Sequence, residues 1–171
     1  EFAHETMAGL NFTHHVAQAL EMGKLFHIDL NDQVPGRYDQ DFRFASVNYK
    51  ANFFLVKLLT DYKYKGLKHF DSHAYRQSDY GDVIEFAKGS MRNFKILEHK
   101  VAQFNADKKI QALLKDIDRT NAKLSKLTRK FTKTNAKALL AADLDRVKLA
   151  AKPMPYEELD QLVGELLMGV R

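Results

Sequence analysis

Apolar and polar residues come in blocks along the first hundred positions, and the spacing inside the blocks changes from one to the next. From Asn11 to Glu21 and on to Met22, the residues Val16, Ala17, Ala19, Leu20 and Met22 fall at helical spacing, with Asn11 or Thr13 as the cap and Gly23 as the stop. Leu25 to Asn31 reads as a short buried strand: Leu25, Phe26, Ile28 and Leu30 are apolar, and His27 and Asp29 interrupt them two residues apart. That spacing puts both polar side chains on one face. Asp32 to Arg43, with Pro35 and Gly36, reads as a loop. Val47 to Asp61 carries a strong helical pattern, Gly66 punctuates, and Leu67 to Phe70 predicts a second strand that ends in Asp71. A polar loop follows from Ser72 to Gly81, then a long helix from Val83 to Phe104. Glu1 to His4 predict no element.

This order is βα periodicity, and it implies parallel strands. Both polar loops leave the C-terminal end of a strand, where barrels and open α/β sheets keep their sites. Two strands cannot close a barrel, and a parallel pair needs cover on both faces. The chain also opens on Glu1-Phe2-Ala3-His4 with no initiator Met. Both features read as part of a larger fold.

Residues 105–171 differ in character. Lys108 to Arg129 is a charged helix with a thin apolar stripe of Ile110, Leu113, Leu114, Ile117, Leu124 and Leu127. Ala136 to Ala151 reads as another helix, Pro153 and Pro155 break it, and Tyr156 to Met168 forms a last one. A narrow apolar face without strands suits a segment that wraps a neighbour better than one that builds its own core.

Composition narrows the function. The chain has 171 residues, a formal net charge of +5 and no cysteine, so disulfides, thiolate zinc sites and a thiol nucleophile are excluded. No apolar run nears the roughly 18 residues that span a bilayer, and no signal peptide is present; the expectation is a cytoplasmic protein without a membrane partner. The basic residues Lys123, Lys126, Arg129, Lys130, Lys133 and Lys137 have only Phe131 as an aromatic neighbour. They read as a solvated helix face, and no nucleic-acid partner is expected. The loop Arg76-Gln77-Ser78-Asp79 suits an anion or its own internal pairing equally well.

The candidate chemistry lies at the strand ends. Asp29 closes an apolar strand, where a carboxylate is costly unless paired or metal-bound. Asp39 and Asp41 sit in the following loop, and His69-Phe70-Asp71 ends the second strand as Asp29 ends the first. Carboxylates with an imidazole suit magnesium, manganese or cobalt.

Met7-Ala8-Gly9-Leu10-Asn11-Phe12, Gly23 to Asn31, Tyr38-Asp39-Gln40-Asp41, His69-Phe70-Asp71, Met91-Arg92-Asn93 and the closing Tyr156 to Leu162 together resemble the C-terminal part of the xylose (glucose) isomerase family, in its actinobacterial-type form. The resemblance implies the last two βα units of a TIM (β/α)8 barrel over residues 1–104. It implies a helical tail over 105–171 that embraces a neighbouring subunit in a homotetramer. It also implies two divalent cations per site, Mg2+ or alternatively Mn2+ or Co2+. By the same resemblance Glu1 bridges both cations, His4, Asp39 and Asp41 complete the second, and Asp29 and Asp71 belong to the first. Asp41 would also orient and deprotonate a water. The implied reaction is aldose–ketose isomerisation of xylose or glucose by a metal-assisted hydride shift between C1 and C2. The family's ring-opening imidazole, its lysine near the carbonyl oxygen and the fourth carboxylate of the first cation lie upstream of Glu1, as do six strands. The rest of the barrel is therefore an expected partner. The alternative is an inactive fragment or assembly module.

Overall fold

The computed structural model describes residues 1–142 and 144–171; the side chains of Asn121 and Lys123 are also outside the described set. The elements run α1 (Ala3–Met7), α2 (Phe12–Glu21), β1 (His27–Asp29), α3 (Tyr49–Asp61), β2 (Leu67–His69), α4 (Tyr80–Ala106), α5 (Lys108–Thr128), α6 (Lys133–Leu140), α7 (Arg146–Ala150) and α8 (Tyr156–Met168). The chain is mainly helical, with a small parallel sheet. It divides into two compact units, Glu1–Gln103 and Phe104–Arg171.

In the first unit β1 pairs with β2 in parallel, His27 opposite Leu67, Ile28 opposite Lys68 and Asp29 opposite His69. The strands are shorter than the apolar runs that predicted them, because the ladder stops where Leu30 N–H meets the His69 carbonyl at 2.7 Å. Only Ile28 of β1 is buried, and every residue of β2 is exposed. Phe26 is 75% and Leu67 78% exposed.

The core of this unit gathers on Phe44, which is fully buried. Its ring centroid lies 6.2 Å from Phe2, 6.1 Å from Phe70 and 5.8 Å from Phe94. Aromatic pairs at such separations contribute about 0.5–1.5 kcal/mol each beyond the area they bury. Asn93 of α4 donates to the Phe44 carbonyl at 2.7 Å, which fixes the chain just before Ala45 at φ +52°. Caps start the helices as the sequence requires: Asn11 accepts from His14 N–H and Asn48 from Ala51 N–H. Asp79 accepts from Asp82 N–H at 2.9 Å at the start of α4, so that loop carboxylate is used in capping.

The first residues depart from expectation, since Ala3–Met7 form a helical turn. No side chain caps it; buried Phe2 anchors it instead, 4.6 Å from the Phe12 ring.

Every described secondary-structure element of the second unit is a helix. Asp107 caps α5 by accepting from Lys109 and Ile110 N–H, and its carboxylate also takes the Arg171 guanidinium at 2.6 Å. Phe104, Ile110, Leu162, Val163 and Leu166 are buried. The helix expected over Ala136 to Ala151 is two: α6 starts at its Thr132 cap, and α7 starts at Asp145, which accepts from Val147 and Lys148 N–H. Asp143, inside that expected helix, lies outside the described residues. Lys126, Arg129, Lys130, Lys133 and Lys137 are all exposed, whereas the side chain of Lys123 is outside the described set. Among the described residues no helix is long and apolar enough to cross a membrane.

Candidate metal centre

The polar mouth is built where β1 ends. Three consecutive residues after the strand are polar and buried: Asn31 at 0%, Asp32 at 4% and Gln33 at 1% exposure. Each organises a different part of the site. Asp32 Oδ2 accepts from Val47 N–H at 2.8 Å, Asn48 N–H at 3.0 Å and Asn52 Nδ2 at 3.1 Å, which seats the start of α3. Its own backbone forms an antiparallel bridge with Phe42, so the segment between returns to the same place. That segment carries Asp39 and Asp41.

Glu1, His4 and Asp39 each offer one ligand atom, and these atoms lie within 4.8 Å of one another. His4 Nε2 is 3.3 Å from Glu1 Oε2 and 3.3 Å from Asp39 Oδ2. The α1 turn produces this: Glu1 and His4 are three residues apart, so they share a face at the start of the helix. The Glu1 side chain is 14% exposed, against 44% for His4 and 48% for Asp39, so the cluster opens outward from a sheltered carboxylate. Asn31 Nδ2 donates to Glu1 Oε1 and, at 2.9 Å, to Asp41 Oδ1. One amide thus holds two carboxylates that would otherwise repel. Burial pushes the Glu1 carboxyl above its ordinary value of 4.5; the Asn31 bond opposes that rise, and the nearness of Asp41 adds to it. A carboxylate with a raised pKa gains from a neighbouring cation, which favours the charged form.

Asp41 has φ +45°, a left-handed backbone that costs a non-glycine residue energy. His73 N–H donates to the Asp41 carbonyl at 3.0 Å and helps hold it there. Asp29 sits elsewhere, between two imidazoles: His27 Nε2 is 3.5 Å from Oδ2 and His69 Nδ1 is 3.3 Å from Oδ1. This places His27 and Asp29 on one face, as their spacing predicts. Asp71 is exposed just past β2. Of the six predicted ligands, Glu1, His4 and Asp39 come together directly, Asp41 joins through Asn31, and Asp29 and Asp71 stand outside that group.

The donor set fits a hard divalent cation: carboxylate oxygens and one imidazole converge, with no sulfur. Asn31 Oδ1 is also buried without a hydrogen-bond partner, so the site has an acceptor left to satisfy.

No family model matches the chain. Over its whole length, however, the sequence is 48% identical to the xylose isomerase of Thermus thermophilus, of which it covers 44%. Along its full length this chain is a relative of xylose isomerase. It is 46% identical to the xylose isomerase of Thermus caldophilus, again covering 44% of that protein. It is 43% identical to that of Streptomyces lividans across an alignment of 178 residues, covering 43%. The chain therefore spans less than half the length of the xylose isomerases it matches.

Asn31, Asp32 and Gln33 were not among the residues that the sequence pointed to. Asn31 read as the polar end of a strand, and Asp32 and Gln33 as loop composition. The available signal was position: three polar residues directly after an apolar run that ends in Leu30.

Proposed function

We propose that this chain supplies the last two βα units of a xylose isomerase barrel, most of its cation site, and a helical tail for assembly. The carrying observation is the convergence of Glu1, His4 and Asp39, with Asn31 linking Glu1 to Asp41, at the C-terminal end of a parallel strand. Glu1, His4, Asp39 and Asp41 would hold the second cation, and Asp29 and Asp71 would contribute to the first. Mg2+, Mn2+ and Co2+ all suit oxygen-rich ligands of this kind.

The cations, when bound, polarise the carbonyl and hydroxyl oxygens of an aldose so that hydrogen can shift between C1 and C2. Within that reaction Asp41 would orient a water, take a proton from it onto a carboxylate oxygen and return that proton to it afterwards, the carboxylate being held by Asn31. The exposed Phe26 and Leu67 support a sheet continued by further strands, which the rest of the barrel would supply. Phe131, Leu140 and Val147, at 85%, 89% and 78% exposure, support a tail that covers a second subunit in a tetramer.

The test is turnover of xylose to xylulose by the complete barrel carrying this chain, with and without magnesium. The expected result is magnesium-dependent turnover that Asp41→Asn abolishes, a loss of at least about 100-fold at unchanged unfolding temperature. Turnover retained in Asp41→Asn refutes the role given to Asp41. No turnover in the intact assembly with metal bound favours an assembly module.

A further inference from the structure

Gln33 and Gln40 form a reciprocal clasp across the segment that carries Asp39 and Asp41. Gln33 Nε2 donates to the Arg37 carbonyl at 2.9 Å, and Gln33 Oε1 accepts from Gln40 N–H at 3.2 Å. In return, Gln40 Oε1 accepts from Val34 N–H at 3.2 Å. Below the clasp, Asp32 and Phe42 exchange two backbone bonds at 2.9 and 3.0 Å. The turn at Pro35 and Gly36, with Gly36 at φ +71°, is thereby tied on both sides. Asp39 precedes the clasped Gln40, and Asp41, with its left-handed backbone, follows it.

Gln33 is 1% exposed. A buried amide costs free energy unless both its ends are bonded, and an apolar side chain of the same volume would fill the space without that demand. Both ends are bonded here, and both bonds fall on the backbone flanking the proposed ligands. Groups that orient metal ligands from behind typically govern affinity 10- to 100-fold.

We propose that Gln33, with Gln40, is a positioning residue that fixes the geometry in which the loop presents Asp39 and Asp41 to a divalent cation. This rests on the metal-site reading above. The experiment uses the complete barrel carrying this chain, with Gln33→Met and, separately, Gln40→Met. Amide hydrogen exchange is measured without metal, and Co2+ is then titrated and followed by its visible absorption. The proposal expects faster exchange confined to Val34 and to Arg37 through Asp41, a fall in Co2+ affinity of about 10- to 100-fold, and an altered Co2+ absorption band. Unchanged affinity and band in both variants overturn it. If Gln33→Met does not fold, Gln40→Met decides, because Gln40 is only half-buried. A complete wild-type barrel that binds no Co2+ overturns the metal reading and the clasp's role toward it, while the exchange pattern still reports whether the clasp holds the loop.

Discussion

The two compact units use polar side chains in opposite ways. In residues 1–103 the polar groups at the mouth are buried and wired to backbone: Asn31, Asp32, Gln33 and Asn52 all lie at or below 4% exposure. In residues 104–171 no described polar side chain is buried to that degree. There the charges pair at the surface, Lys109 with Glu158 at 2.7 Å and Lys148 with Asp145 at 3.2 Å. An exposed pair contributes about 0–1 kcal/mol. A buried group left without its partner costs about 1–3 kcal/mol. The first arrangement tolerates little change and holds geometry; the second stabilises loosely and leaves its sequence free. The unit that carries the candidate site is the one built the demanding way.

The sharpest way to break this contrast is Asp32→Ala. It leaves the buried Asn52 amide and the part-buried Val47 and Asn48 N–H groups without their acceptor, and the expected loss is about 2–4 kcal/mol. Urea denaturation measures it, and hydrogen exchange should locate the opening in residues 1–103. A loss under about 1 kcal/mol would mean that the buried network is not what holds the mouth.

Asp107→Ala probes the other unit and should cost about 1–2 kcal/mol, the worth of a helix cap. The Arg171 guanidinium and the N–H groups of α5 hold the Asp107 carboxyl down at about 2, below its ordinary 3.8. Its stabilisation is therefore complete above 3.8 and lost as pH falls toward about 2. Acid titration of the variant should lack that step. If the step persists, another carboxylate carries it.

The smallest effect concerns Glu1. Its folded pKa is raised above 4.5, so the folded state holds the proton more tightly than the unfolded chain does. Metal-free stability should then decline slightly as pH rises from 4.5 through the raised value. Glu1→Gln should flatten that slope, and a slope unchanged in the variant would remove Glu1 as its source.

Much of the first unit was legible in the sequence because its signals are local. Asn11 capping α2, the two-residue spacing of His27 and Asp29, and polar loops after each strand all follow from neighbours in the chain. The α1 turn was not legible: it is short, has no side-chain cap, and depends on Phe2 packing against Phe12 and Phe44. The break between α6 and α7 carried a local sign in Asp145, but the Ala- and Leu-rich pattern ran across it. The buried roles of Asn31, Asp32 and Gln33 depend on partners up to 30 residues away, and composition alone made them look like an ordinary turn.

The central claim is that Glu1, His4, Asp39 and Asp41 form a cation site. Crystals of the complete barrel carrying this chain, grown with cobalt and measured at the cobalt absorption edge, test it most directly. The account predicts an anomalous peak within about 2.0–2.3 Å of His4 Nε2 and of carboxylate oxygens from Glu1 and Asp39. A map with no peak there, or with its only peak elsewhere, would contradict it.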